Sequence, residues 1–143
     1  MKVALITDTH WGVRGDNLRF LDYFRRFYET VFFPYLKEHN IHAIIHLGDL
    51  MDRRKYMNVN TAREMREVWF DPIVENGYEY HQIIGNHDTY LKNTNEINSF
   101  DLLMPKVDNV HMYTKPDEIV LFNDKLENKI FLIPWICQEN YGE

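Results

Sequence analysis

Three short apolar runs, residues 1–7, 42–47 and 78–84, each stop at a compact polar cluster: Asp8-Thr9-His10, Gly48-Asp49-Leu50-Met51-Asp52 and Gly85-Asn86-His87-Asp88. Runs of this length, rich in Val, Leu and Ile and with little alternation, read as strands covered on both faces. Between the first two, Phe20, Phe24, Phe27 and Val31 recur at helical spacing, with Arg19, Arg25, Arg26 and Glu29 opposite, so residues 18–39 are expected to form a helix packed on a sheet. Pro34 is expected to kink that helix or end its first part, because proline lacks a backbone donor. Residues 58–75 read as a second helix, with Asn58, Asn60 or Thr61 as its cap and Pro72 as a break. Strand, helix, strand, helix, strand is the order of a layered α/β domain with mainly parallel pairing. A short helix over 97–104 and strands over 110–113, 118–122 and 129–133 follow, the last two joined as a hairpin at Asn123-Asp124 or its neighbours.

Composition narrows the classes. With 143 residues, 45% of them hydrophobic, the chain is long enough to bury a core, which excludes a disordered tail or a fibre. No run of about 18 apolar residues occurs, and the first six residues are too few for the apolar part of a secretory signal, so a cytoplasmic protein with no membrane association is expected. The single cysteine, Cys137, can neither close an internal disulfide nor supply a thiolate metal site alone. A net charge of −6 argues against a protein that coats nucleic acid by bulk electrostatics, yet all eight arginines lie before residue 67. Such polarity permits a basic face, and arginine is the side chain best shaped to grip phosphate.

In open α/β sheets, ligands collect beyond the carboxyl ends of the strands, so the three polar clusters are expected to converge on one crevice although they are far apart in sequence. They offer carboxylates, imidazoles and a carboxamide. That oxygen and nitrogen donor set suits manganese, iron or zinc. Asp8 and His10, two apart on an extended segment, would point to one side and reach one ion. Asp49 has two oxygens and could bridge to a second ion about 3.5–4 Å away, which Asn86 could bind through its carbonyl oxygen. Gly48 and Gly85 allow the backbone to turn sharply at the strand ends.

Thr7-Asp8-Thr9-His10-Trp11-Gly12, Gly48-Asp49-Leu50-Met51-Asp52 and Gly85-Asn86-His87-Asp88 resemble the first three motifs of the calcineurin-like metallophosphoesterases. Asp52-Arg53-Arg54-Lys55 and the segment from Leu132 to Asn140 make the chain similar to their SbcD branch, the double-strand-break repair nucleases, and especially to the nuclease subunits of phage recombination endonucleases. The resemblance implies a layered α/β fold with mixed sheets flanked by helices, and a two-metal, manganese-dependent phosphodiesterase acting on DNA. Asp8 and His10 would bind one ion, Asp49 would bridge, and Asn86 would bind the other. His87 would stabilise or protonate the leaving oxygen, with Asp52 or Asp88 orienting it or merely fixing its loop. Arg14, Arg53, Arg54 and Lys55 flank the first two clusters and are the candidates for DNA phosphate contacts. Trp11 and Tyr90 are candidates for stacking on a displaced base.

The later histidine and the Gly-His-x-His motif that complete the family's site do not occur in this sequence. Residues 1–143 are therefore expected to be the amino-terminal part of a single nuclease domain, holding about half of the metal site, with apolar surface that a second copy could cover in a homodimer. His39, His42, His46, His81 and His111 are expected to be strand or helix-end residues. The resemblance also implies an SMC-like coiled-coil ATPase of the SbcC type as partner. Two other functions fit the same motifs: a protein phosphatase or cyclic-nucleotide phosphodiesterase, and a non-catalytic platform that binds DNA or a partner.

Overall fold

The computed structural model describes residues 2–123 and 126–142. Strands β1 (Val3–Ile6), β2 (Ala43–His46), β3 (Glu79–Ile83) and β4 (Val110–Tyr113) form one sheet in that spatial order, and every neighbouring pair is parallel. Ile6 pairs with His46, and His46 with Gln82, so the first three strands end level. That register brings all three polar clusters out of the same edge of the sheet. A separate antiparallel hairpin is formed by β5 (Asp117–Asn123) and β6 (Leu126–Leu132), in which Asn123 pairs with Leu126. The expected hairpin is thus present, and its turn, at residues 124–125, lies outside the described residues.

The parallel order requires three crossovers, and two long helical segments supply those from β1 to β2 and from β2 to β3. The first comprises a short turn α1 (Val13–Asp16), helix α2 (Leu18–Phe27), a π-helical turn at Tyr28–Phe32 and helix α3 (Phe33–Glu38). The second comprises α4 (Val59–Met65), a π-helical turn at Arg66–Phe70 and α5 (Asp71–Glu75). Asn58, among the three possible caps, accepts from the backbone N–H groups of Asn60 and Thr61. Both prolines sit at a change of helix type rather than at a helix end. Pro34 and Pro72 each follow a π turn at the second residue of the next α segment, and the helix runs on. The extra residue of a π turn shifts the carbonyl that the ring would otherwise strike, so the proline neither breaks nor ends the helix. The last helix, α6 (Phe100–Leu103), is shorter than expected.

Side chains alternate across a strand, and here the two faces pack against different layers. Ala4, Ile6, Ile44, Tyr80, Val110 and Met112 meet the helices, through Leu21, Tyr28, Leu36, Val68, Trp69 and Ile73. Val3, Ile45, Ile83 and Tyr113 meet the hairpin, through Ile119, Leu121, Ile130 and Leu132. The result is a helix, sheet and hairpin arrangement. The hairpin does not reach all of its face: it packs on Val3 but leaves Leu5 of β1 65% exposed, so this edge strand is only partly covered on the hairpin side, short of the full cover expected.

Trp69 is the centre of the helical layer. Its ring lies 4.9 Å from that of Tyr28, 5.4 Å from Phe32 and 5.8 Å from Phe33 and Tyr80. It joins both π turns to β3, and it is wholly buried. Replacing Trp69 by Ala should cost about 3–5 kcal/mol, read as a lower urea midpoint at unchanged slope.

Candidate metal centre

The first two clusters continue the sheet's pairing beyond its regular strands. Asp8 N–H donates to the Gly48 carbonyl (3.1 Å), His10 to Asp49 (3.1 Å), Trp11 to Leu50 (2.8 Å), and Asp52 returns a bond to Trp11 (3.0 Å). These loops are not extended as the spacing of Asp8 and His10 suggests. Asp8, His10 and Asp49 have φ of 52°, 46° and 55°. Left-handed backbone is uncommon for side-chain-bearing residues, and its concentration at one place marks a site where the surroundings impose the conformation.

That conformation gathers the donor atoms. Asp8, His10 and Asp49 each offer one ligand atom, and the three atoms lie within 4.8 Å of one another. His10 Nε2 stands 3.5 Å from Asp8 Oδ1 and 3.9 Å from Asp49 Oδ2, too far for hydrogen bonds. Its Nδ1 is buried without a partner, 3.8 Å from Asp52 Oδ1. An imidazole held between carboxylates at such distances suits a shared cation better than direct bonding. The Asp8 side chain is 59% exposed and that of Asp49 13%, so the cluster has an open mouth and a sheltered floor. Two carboxylates, an imidazole and a neighbouring amide therefore fit a divalent ion.

Asn86 lies beside this floor. With its amide group oriented to satisfy both ends, Nδ2 donates to Asp49 Oδ2 (3.2 Å) and Oδ1 accepts from Arg54 (3.3 Å). His87 follows: its backbone N–H donates to Asp49 Oδ1 (2.8 Å), and its ring stands edge-on to His10 at 4.9 Å. The Asp52 carbonyl oxygen lies 2.7 Å from His87 Nδ1. A carbonyl only accepts, so Nδ1 carries the proton and Nε2 is the nitrogen left for chemistry. Asp52 thus orients His87 through its backbone rather than its carboxylate.

Asp88 fixes the loops. Its side chain accepts from the backbone N–H groups of Asp49 (2.8 Å), Gly85 (2.9 Å) and Met51 (3.1 Å). Burial pushes its carboxyl up to about 6, although these donors pull the other way. His46 performs the matching task between the first two loops. Gly48 N–H donates to its Nδ1 (3.2 Å), so Nε2 carries the proton and donates to Thr9 Oγ1 (3.1 Å), which in turn donates to the Leu50 carbonyl (3.3 Å). Burial lowers the His46 pKa to about 3, keeping the ring neutral as this chain of bonds requires.

The basic candidates separate. Arg54 reaches Asn86 and lies over the Trp135 ring at 5.2 Å. Arg53 is paired with Asp16 (2.8 Å), which also accepts from Thr61 (2.7 Å), and Lys55 lies over Tyr90 at 5.8 Å. Arg14 is exposed on a left-handed turn (φ 55°). Trp11 is not available for base stacking: it is fully buried and packs on Phe24 and Tyr28, whereas Tyr90 is 44% exposed. Trp135 is a residue that sequence reasoning passed over. Its N–H donates to the Ile84 carbonyl (2.8 Å), and with Ile133 and Pro134 it lines a cleft shared by Asp8, Asp49 and Asn86. Its place in the segment from Leu132 to Asn140, quoted above for the resemblance, was the only signal. His46 and His81 lie in the sheet as expected, and His39 stacks on Tyr35 at a helix end.

The sequence matches the calcineurin-like phosphoesterase family over residues 1–135. It is also 34% identical, over 147 aligned positions, to exonuclease subunit 1 of Enterobacteria phage T4. The alignment takes in the whole of this chain and 40% of that relative.

Two outcomes follow from the loop geometry. A Cβ at Gly85 would stand 2.2 Å from both the backbone nitrogen and Oδ1 of Asp49, so Gly85→Ala should cost about 1–3 kcal/mol and displace Asp49, seen as a lower melting temperature. His46 titrates near 6.5 when unfolded and near 3 when folded, so its contribution to stability is complete above about pH 6.5 and drains away as pH falls towards 3. Urea unfolding in a chelator should show this loss, at up to about 1.4 kcal/mol per pH unit, and His46→Gln should flatten it.

Proposed function

Because the chain belongs to the calcineurin-like phosphoesterase family, we propose that its three converging loops are the metal-binding half of a DNA phosphodiesterase centre, in a protein that acts as the nuclease subunit of a recombination or repair complex. The observation that carries this reading is the convergence of Asp8, His10 and Asp49. The phage exonuclease subunit, similar along this whole chain, favours DNA over phosphoproteins or cyclic nucleotides as substrate. Since the chain spans 40% of that relative's length, the activity proposed is that of the complete protein. We assign residues 1–143 to one nuclease domain.

Asp8 and His10 would hold one ion, Asp49 would lie between two, and Asn86 would bind the second through its amide oxygen once the amide turns that atom from Arg54 to the Asp49 side. Manganese fits the oxygen-rich donors. When bound, the ions would polarise the scissile phosphate and make water a nucleophile near neutral pH. The protein's own groups supply the rest. His87, its Nδ1–H anchored on the Asp52 carbonyl, presents Nε2 as the atom that stabilises or protonates the leaving oxygen. Asp88 holds the Asp49 loop against the Asn86 loop. Arg54 is the leading phosphate contact, since its guanidinium already meets Asn86 and is braced by Trp135. Arg14 and Lys55 would follow the DNA backbone farther out. Arg53, engaged by Asp16, would contribute less. The word "subunit" in the relative's name agrees with a multi-subunit assembly; an SMC-like ATPase and a second copy of this chain are the partners proposed.

The test compares linear duplex DNA, a phosphopeptide and a cyclic nucleotide as substrates of the full-length protein with manganese. DNA cleavage is expected, abolished by Asp49→Ala. His87→Ala should retain manganese stoichiometry while slowing cleavage by about 10²–10⁴-fold. Hydrolysis of the phosphopeptide or cyclic nucleotide without DNA cleavage would overturn the proposal.

A further inference from the structure

A second group of ligating side chains lies at the other end of the sheet. Glu79 and His81 stand two apart on β3 and so share a face, and the parallel register sets His111 of β4 directly beside His81. His81, the member nearest the loops, precedes Gly85 by four positions, roughly 13 Å at about 3.3 Å per residue, and Glu79 lies two positions farther back, so this group is separate from Asp49. The face is the one opposite the helices, next to the hairpin layer. One ligand atom from each of Glu79, His81 and His111 lies within 4.8 Å of the others.

Their contacts converge on one point. Glu79 Oε1 is 2.7 Å from His111 Nε2 and 3.6 Å from His81 Nε2, and the two imidazoles stack at 4.9 Å with 17° between their planes. An ordinary ion pair between Glu79 and His111 explains the first distance. It leaves His81 unexplained: the side chain is 7% exposed, and its Nε2 is buried with no hydrogen-bond partner. An orphaned buried nitrogen is costly unless something else occupies its lone pair. His81 Nδ1 lies 2.8 Å from the Tyr113 hydroxyl oxygen. A bond donated by Nδ1–H to that oxygen leaves Nε2 as a bare lone pair directed towards Glu79, the arrangement by which an outer hydrogen bond sets the tautomer of a metal-binding histidine. Burial and the neighbouring His111 lower the His81 pKa to about 4, so the ring is neutral and able to ligate at physiological pH.

We infer that Glu79, His81 and His111 form a second metal site, of the two-histidine, one-carboxylate type that takes zinc, with Tyr113 positioning His81. Three protein ligands leave a fourth place in a tetrahedral zinc shell for water. The donor set separates this site from the first. It is rich in nitrogen and built on two strands, whereas Asp8, Asp49 and Asn86 are oxygen donors on loops, so zinc or cobalt should prefer the former and manganese the latter.

The experiment titrates chelator-treated full-length protein with cobalt(II) and with zinc(II) alone. Wild-type protein should show the strong visible absorption of tetrahedral cobalt and take up one zinc equivalent more than His111→Gln or His81→Gln. Asp49→Ala, which damages the first centre, should keep both signals, and Tyr113→Phe should weaken the site by about 10-fold or more. His111 is partly exposed at 37%, so its substitution leaves the core intact and gives a clean measurement even where His81→Gln disturbs folding. Equal metal uptake and an unchanged cobalt spectrum in His111→Gln would overturn the inference. Loss of the tetrahedral signal in Asp49→Ala would also overturn it, by placing that signal in the first centre. Neither result depends on DNA cleavage, so failure of this site and failure of the proposed nuclease function are distinguishable.

Discussion

A single buried carboxylate holds the candidate centre together. Asp88 accepts three backbone N–H groups, from Gly85 in its own loop and from Asp49 and Met51 in the neighbouring one. Loop backbone at a strand end has lost its sheet partners and must satisfy its donors elsewhere. Here one side chain collects them for two loops. Gly48 and Gly85 then approach so closely that a Cβ on Gly48 would meet Gly85 Cα at 2.8 Å, and a Cβ on Gly85 would enter the space of Asp49. The contact and the carboxylate act together: the glycines allow the approach, and Asp88 satisfies the polar groups that the approach strands. His46 and Thr9 repeat this arrangement with neutral groups between the first and second loops.

Left-handed backbone at Asp8, His10 and Asp49 has a cost of order 1 kcal/mol or more at each position. The three sites share it because the loops are pinned from outside, through the bonds from Asp8, His10 and Trp11 to the second loop and through Asp88 to the third. Rigidity imposed in this way keeps two carboxylates and an imidazole together without a direct hydrogen bond between His10 and either acid. The like charges of Asp8 and Asp49 repel one another, and a divalent cation between them would remove that penalty. Preorganisation and metal affinity are therefore the same property seen from two sides.

Much of this was legible in the sequence. Strand runs stopping at polar clusters located the three loops, because a parallel sheet must deliver its strand ends to one edge and crossover helices set the order. The register Ile6, His46 and Gln82 made the expected convergence real. The failures have physical causes. Local rules make Pro34 a kink or an end and Pro72 a break, but a π turn ahead of each lets the helix run on past the ring, and nothing in residue type announces a π turn. Trp11 sits inside a polar motif yet belongs to the core, because the loop folds back over α2 and buries the indole against Phe24 and Tyr28. Asp52 acts through its carbonyl, a group every residue possesses and no pattern can flag. Glu79, His81 and His111 are ordinary strand residues in one dimension. Only the pairing of β3 with β4 makes them neighbours.

Charge shows the same limit from another direction. The clustering of arginines in the first part of the chain suggested a basic face, but placement redistributes it. Arg25 binds Glu64, Glu29 and Glu67 and so clamps α2 to the second helical segment, while Arg53, Arg63 and Arg66 are also paired with acids. Arg25 joins two helical segments, whereas the Arg63 and Arg66 pairs lie within one segment and are exposed, so they add little stability and serve mainly to offset charge locally. Arg54 differs in its partners: an amide oxygen, a threonine hydroxyl and the face of an indole, none of which neutralises it. A protein of net charge −6 can therefore present an uncancelled guanidinium at the rim of an acidic cluster. Asn86 links the two, accepting from Arg54 and donating to Asp49, so the cation stands one side chain away from the acidic cluster and offsets part of the negative potential that an anionic ligand would meet there.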